Sequence, residues 1–258
     1  MKQINTRDLA TWLDDTLQPQ HFRDYCPNGL QVEGKPAIGH IITGVTASRA
    51  LLEEAIRRKA DAVFVHHGWF WKNEDARIIG AKRERIALAL QHELNVFAYH
   101  LPLDAHPQLG NNAQLARVLG FTPDQDAEGN PRTCGPENLI WLGRCQPGLT
   151  LEQLGRHVAG ALGREPLVLG RPDQTIERVA WCTGGAQGWM QEAIDAGAQA
   201  YVTGEASEPN FHLANETGVG FIGAGHHATE RYGAQAVGQA IEEHFGIKVE
   251  FIDLDNPV

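Results

Sequence analysis

The chain has 258 residues, 42% hydrophobic and 21% charged, with a formal net charge of -10, the balance of a globular protein with room for one domain or two modest lobes. The acidic excess provides no overall basic field for nucleic acid or anionic lipid, so a polyanion would need a locally basic groove or a bound divalent metal. No run reaches the roughly 18 apolar residues of a membrane span, and the opening Met1-Lys2-Gln3-Ile4-Asn5-Thr6-Arg7-Asp8 lacks the apolar core of a signal peptide, so a cytoplasmic location is expected. Cys26, Cys134, Cys145 and Cys182 form no Cys-x-x-Cys pair, which predicts reduced thiols and neither a zinc-thiolate knuckle nor a disulfide framework.

Residues 4–18 carry Ile4, Leu9, Trp12, Leu13 and Leu17 at helical spacing, predicting an amphipathic helix. Pro27-Asn28-Gly29 then turns the chain into an extended segment, because Asn-Gly accepts the positive φ that turns require. A strand is expected over 38–45, followed by a helix over 49–59 that Ser48 caps and whose apolar face holds Leu51, Leu52, Ala55 and Ile56. The strand at 62–65 delivers His66-His67-Gly68 to a strand end, where ligands collect in α/β sheets. A helix at 77–93 and a strand at 96–99 lead to a segment that Pro102 should keep as a loop, holding His100 and Asp104. Residues 111–119 make a further helix, stopped by Gly120. Strands alternating with helices predict a parallel sheet with crossover helices.

From 122 to 137 the composition shifts to Pro, Gly, Asp and Asn, marking a connection between lobes at 1–121 and 122–258. A short strand at 139–143 precedes a helix at 151–162, opened by a capping box of Thr150 and Gln153 and carrying His157 on its surface. The second lobe then repeats the first. Residues 60–67 align with 198–205, each after a helix containing Glu-Ala-Ile, and Phe97-Ala98-Tyr99-His100 with Asp104 aligns with Gly223-Ala224-Gly225-His226 with Glu230. The expected fold is therefore α/β, two related α/β lobes with largely parallel sheets that face each other across a metal-binding cleft.

Such a cleft would receive His66, His67, His100 and Asp104 from one lobe and Glu205, His226, His227 and Glu230 from the other. Taken singly, each position reads equally well as a cap, turn or core residue; the duplicated pattern is what favours a site. Imidazole and carboxylate without thiolate suit Zn, Mn, Fe, Co or Ni, and a set this rich can hold two ions. His226 and Glu230, four residues apart, share one face of any helix that begins there.

Seven segments carry a resemblance: Pro27-Asn28-Gly29-Leu30-Gln31, Gly44-Val45-Thr46, His66-His67-Gly68, His100-Leu101-Pro102-Leu103-Asp104, Gly110-Asn111-Asn112, Thr203-Gly204-Glu205 and Gly225-His226-His227-Ala228-Thr229-Glu230. Together they resemble the YbgI-like dinuclear metal-centre hexameric family, the GTP cyclohydrolase type 2 homologues, over nearly the whole chain and most weakly across 122–178. The resemblance implies five metal ligands, His66, His67, Asp104, His226 and Glu230, two divalent ions per subunit and a toroidal homohexamer.

It also implies a metal-dependent hydrolase in which water activated by a bound ion attacks C8 of the guanine in GTP, opening the imidazole ring and releasing formate. His100 and Glu205 are the candidate catalytic residues for moving protons, His100 serving equally as a residue that orients a ligand. No Gly-x-x-x-x-Gly-Lys-Ser/Thr loop is present, so a nucleotide's phosphates would depend on cations such as Lys72, Lys82 or Arg231. The same ions suit a metal-dependent phosphoesterase or nuclease, and a non-enzymatic metal chaperone or insertion protein would also need such a site. The acidic balance argues against a ring that encircles nucleic acid unless its inner surface alone is basic.

Overall fold

The computed structural model describes residues 2–258. The chain separates into two compact units, one of residues 1–103 and 233–255, the other of residues 104–232 and 256–258. The boundaries thus fall at 103/104, 232/233 and 255/256, and not at 121/122. The Pro-, Gly- and Asp-containing stretch at 122–137 that suggested a connection carries strand residues of the second unit.

The first unit opens with β1 (Ile4–Asn5) and α1 (Thr6–Leu17). Asn5 caps α1 by accepting the Arg7 N–H, and Leu9, Leu13 and Leu17 bury one stripe of it. β2 (Gly29–Val32), β3 (Ala37–Ile38), β4 (His40–Thr46) and α2 (Arg49–Arg57) follow, with the Ser48 side chain accepting the Leu51 N–H as expected. Next come β5 (Ala62–His67), α3 (Gly80–Gln91), β6 (Asn95–Ala98) and α4 (Leu101–Ala105). Two expectations change here. β5 runs on through both histidines, because His67 pairs with Thr46 of β4. The segment after His100 is a short helix, with Pro102 in its first turn, where a missing N–H costs no intrahelical bond.

The second unit holds α5 (Asn111–Leu119), ended by Gly120 at φ 64°, and then β7 (Thr122–Pro123), β8 (Thr133–Cys134) and β9 (Ile140–Thr150). The stretch expected to be a connection therefore contributes two short strands, both paired with β9. β9 is longer than the strand expected over 139–143. Its outer residues resume pairing with the neighbouring strand after a register shift, beyond Pro147-Gly148. α6 (Leu151–Leu162) has the Thr150–Gln153 capping box, and His157 lies on its surface with Nε2 2.8 Å from the Leu119 carbonyl. β10 (Leu167–Leu169), β11 (Thr175–Trp181), α7 (Met190–Asp195), β12 (Ala200–Thr203), α8 (Glu208–Thr217) and β13 (Gly220–Gly223) complete it. The long α9 (His226–Phe245) passes the 232/233 boundary and returns the chain to the first unit through β14 (Lys248–Phe251).

Both sheets are mixed: the first is largely parallel, as expected, whereas the second is mostly antiparallel and corrects that expectation. In the first, ordered β14-β4-β5-β6-β2, β14 to β6 run parallel and β2 closes the edge antiparallel. In the second, ordered β10-β13-β12-β11-β9-β7 with β8 also on β9, only β11, β12 and β13 are mutually parallel. β9 and β10 flank them antiparallel. Each unit therefore has the same parallel centre, β4-α2-β5-α3-β6 in one and β11-α7-β12-α8-β13 in the other. The sequence repeat maps onto it, β5 with β12 and β6 with β13. β5, β6, β12 and β13 are almost wholly buried, which is why they read as unbroken apolar runs.

Candidate metal centre

In the first unit the ends of β5 and β6 gather three imidazoles. The ligand atoms of His66, His67 and His100 all lie within 4.8 Å of one another. Gly68 follows the pair because any Cβ there would overlap the Gln31 side chain and Ala98 Cβ.

Each ring is fixed through Nδ1. His66, fully buried, has Nδ1 3.1 Å from the Tyr99 carbonyl. A carbonyl only accepts, so Nδ1 carries the proton and the Nε2 lone pair is the donor for a metal. His67 Nδ1 lies 3.2 Å from the Thr46 hydroxyl, and His100 Nδ1 lies 2.7 Å from Asp24 Oδ1.

Asp24 also accepts the N–H groups of Tyr25 and Leu101 and the Asn28 amide. Burial alone would raise its pKa; the bonds from His100, Asn28 and Tyr25 overrule it and hold the carboxyl below its usual range. Asp24, Cys26 and His100 form a second donor group with the same spacing. Burial, with the Asp24 charge beside it, pushes the Cys26 thiol up to about 12, so it offers no thiolate near neutral pH. All four cysteines are free thiols, as expected.

In the second unit the carboxylates dominate. Asp104, buried in α4, has Oδ1 held by the Asn111 amide at 2.9 Å and the Thr183 hydroxyl at 3.2 Å. Asn112 ties this corner together, donating to the carbonyls of Asp104 and Leu139 and accepting the Thr183 N–H. His226 opens α9 directly after β13. Its Nδ1 lies 2.7 Å from Glu205 Oε1, just past β12, and its Nε2 lies 3.1 Å from Oε2 of the buried Glu230, one helical turn on.

Burial would lower the His226 pKa, but the flanking Glu230 and Glu205 raise it to about 9. The same pair of carboxylates favours any cation seated at that imidazole, a proton or a metal ion. His227 is buried, and its backbone N–H donates to the Val258 carbonyl.

Backbone shape places Glu230. Gly184, after β11, has φ 68°, and a Cβ on it would overlap Glu230 Oε1. Its N–H donates to Thr229 Oγ1 and its carbonyl accepts from Thr203 Oγ1 and the Gly204 N–H.

Thr183-Gly184 and Asp24 escaped the sequence reading. Thr183-Gly184 follows β11, the third strand of the repeat, and β11 pairs with β12 as β4 pairs with β5; aligning that strand as well would have found it. Asp24 lies in an irregular segment with no periodicity to single it out. Of the cations considered for phosphates, Lys82 is engaged by Glu74 and the Asp75 carbonyl, and Arg231 donates to the Leu162 carbonyl. Arg164, not singled out from sequence, packs against Gly225 beside His226, so closely that a Cβ on Gly225 would meet its guanidinium.

The fold and these side chains define an α/β protein whose buried His, Asp and Glu residues can hold metal ions. Residues 4–257 match the family model described as Duf34/NIF3 (NGG1p interacting factor 3), and the chain belongs to that family. A Neisseria meningitidis relative described as a GTP cyclohydrolase 1 type 2 homolog is 53% identical over 251 residues, 97% of this chain and 98% of its own. A Vibrio cholerae relative of the same description is 49% identical over 257 residues, 99% of this chain and 100% of its own. Among solved structures, the protein ybgI matches with a TM-score of 0.92 at 44% identity, covering 99% of this chain and all of its own. Thermus thermophilus TTHA1606 matches at 0.84 and 32%, with the same coverage. No helix among the described residues is long and apolar enough to cross a membrane.

Proposed function

We propose that the chain binds two divalent metal ions through His66, His67, Asp104, His226 and Glu230 and acts as a metal-dependent hydrolase of the GTP cyclohydrolase type. The observation that carries this reading is the preparation of the donors: His66 Nδ1 is committed to a carbonyl, Asp104 Oδ1 to Asn111 and Thr183, and His226 is flanked by two carboxylates. Neutral imidazoles of fixed tautomer and buried carboxylates are the donor chemistry of Zn, Mn, Fe, Co or Ni. The description shared by the Neisseria and Vibrio relatives supports the choice of reaction.

Ions held there would supply Lewis acidity and lower the pKa of a bound water towards about 7. Asp104 and Glu230 offset the positive charge. His100, with Nδ1 bonded to Asp24, moves a proton through Nε2, and Asp24 keeps its tautomer. Glu205 orients His226 and does not itself carry the proton. Arg164 provides a cation for the substrate's phosphates. A toroidal homohexamer is the assembly we propose from the sequence resemblance, to be checked as a mass of six chains by light scattering.

Metal-loaded protein incubated with GTP should release formate, and His67→Ala should abolish that release; full activity in His67→Ala would contradict the metal-dependent mechanism. His100→Ala should keep its metal and lose about 10²- to 10⁴-fold in turnover. Loss of metal in that variant would make His100 a ligand instead. Exchangeable metal with no turnover on any nucleotide or phosphoester would favour the metal-handling alternative.

A further inference from the structure

Beside the three imidazoles of the first unit stands an aromatic pair for which the metal reading has no use. Trp71 lies edge-to-face with His100, ring centroids 5.0 Å apart at 85°, and 6.0 Å from His67. Tyr25 approaches His100 from its own segment at 6.2 Å and 62°. Tyr25 is 53% exposed and Trp71 is partly exposed, although the neighbouring Trp69 is buried in the core with its indole N–H on the Ala47 carbonyl. Two large aromatic side chains left partly in water beside a largely buried polar cluster, in which His66 is buried and His67 and His100 are half-buried, are the unusual observation, since burying them would contribute more to stability.

The backbone holds them there. The Gln31 side chain brackets Trp69, accepting its N–H at 2.7 Å and donating to its carbonyl at 3.1 Å. Phe70 adopts φ 65°, a left-handed conformation that costs a non-glycine residue energy and turns the chain between Trp69 and Trp71. The Lys72 N–H donates to the Tyr25 carbonyl at 2.7 Å, tying the two aromatic segments together. Tyr25 is further fixed through its N–H to Asp24 Oδ1, the oxygen that holds His100. Trp71 keeps part of its surface in solvent and Tyr25 about half, so accessible aromatic surface held by the backbone stands beside His100.

We propose that Trp71, with Tyr25, forms a stacking subsite for a planar heteroaromatic ring, so that the substrate class of this site is a compound bearing a nucleobase-like ring. This rests on the reading above for the presence of a substrate, but it concerns recognition of the ring and not the reaction. Stacking is selective for planarity because every such ring presents a π-face to the indole, whereas a sugar or phosphate does not. Trp71 contributes no metal ligand, so its removal separates ring recognition from metal binding.

The test is equilibrium binding to the metal-loaded full-length protein of two probes, GMP and ribose 5-phosphate, which share the phosphate and differ in the base. GMP should bind more tightly than ribose 5-phosphate. Trp71→Ala should weaken GMP roughly ten- to a hundred-fold, leaving ribose 5-phosphate binding and metal content unchanged. Trp71→Phe, which keeps a π-face, should restore most of the difference, and Tyr25→Leu should give a smaller loss confined to GMP. Equal binding of the two probes by the native protein, or unaltered GMP affinity in Trp71→Ala, overturns the proposal. So does joint loss of metal and both probes in Trp71→Ala and Trp71→Phe, which would make the indole a support for the histidines. Absence of formate release together with base-selective binding lost in Trp71→Ala would refute the cyclohydrolase reaction and leave the stacking subsite standing.

Discussion

In the first unit the ends of β5 and β6 carry His66, His67 and His100; in the second, the matching ends of β12 and β13 lead to Glu205, His226 and, one turn into α9, Glu230. The parallel cores are alike and the chemistry loaded on them is different. The first unit spends its local hydrogen bonds on setting tautomers, through the Tyr99 carbonyl at His66 and Asp24 at His100, and on orienting His67 through the Thr46 hydroxyl. The second makes room for charge, with Gly184 withdrawn from Glu230 and polar groups fixed on Asp104. The first copy thus gathers imidazole donors and the second adds carboxylates, both of them ligand types of divalent first-row metals.

The comparison breaks most severely at Gly184. Gly184→Ala adds a Cβ that overlaps Glu230 Oε1 at a residue with φ 68°, so it should destabilise the fold by about 2–4 kcal/mol in chemical denaturation and lower the metal content. The corresponding imidazole side has no such dependence on a left-handed glycine. A milder change sharpens the contrast between the orienting carboxylates. Asp24, nearly buried, accepts four hydrogen bonds, whereas Glu205 is 37% exposed and is shared between His226 and Gln187. Asp24→Asn should therefore reduce turnover or metal affinity about 10- to 100-fold, and Glu205→Gln less, both read by activity and metal titration of folded protein.

The smallest effect concerns pH. Burial would raise the Asp61 pKa in the first unit, but the Lys35 ammonium and the N–H groups of Gly39 and His40 prevail and lower it. A carboxyl with a depressed folded pKa contributes stability above its unfolded pKa of about 3.9, and that stability is lost as pH falls through the folded value. Stability curves of the native protein and Asp61→Asn should therefore converge below about pH 3.9 and separate above it; a constant gap across that range would contradict the assignment.

Much of this was legible in the sequence where chemistry repeats at a fixed interval. The strand core at 62–65, its repeat at 200–203, the Ser48 and Thr150 caps and the Gly120 stop all depend on local pattern, and the structure has them. The antiparallel flanks of the second sheet were not legible, because β7 and β8 are two-residue pieces whose pairing is decided by β9 and not by their own side chains. Pro102 misled for the opposite reason: its rule is local, but the first turn of α4 is stabilised by Asp24, which receives the Leu101 N–H from 77 residues away. Asp24 has no periodicity of its own, and only the folded chain shows that it positions His100; Thr183 and Gly184 follow the third strand of the repeat, but their contacts with Asp104 and Glu230 appear only once the chain is folded.

Metal content per chain tests the central claim most directly, measured by elemental analysis on native protein, His67→Ala, Asp104→Ala and Glu230→Ala. Two ions are expected in the native protein and one or fewer in each variant, whichever unit the lost donor belongs to. Two ions retained in either the histidine variant or both carboxylate variants would contradict the proposed ligand set.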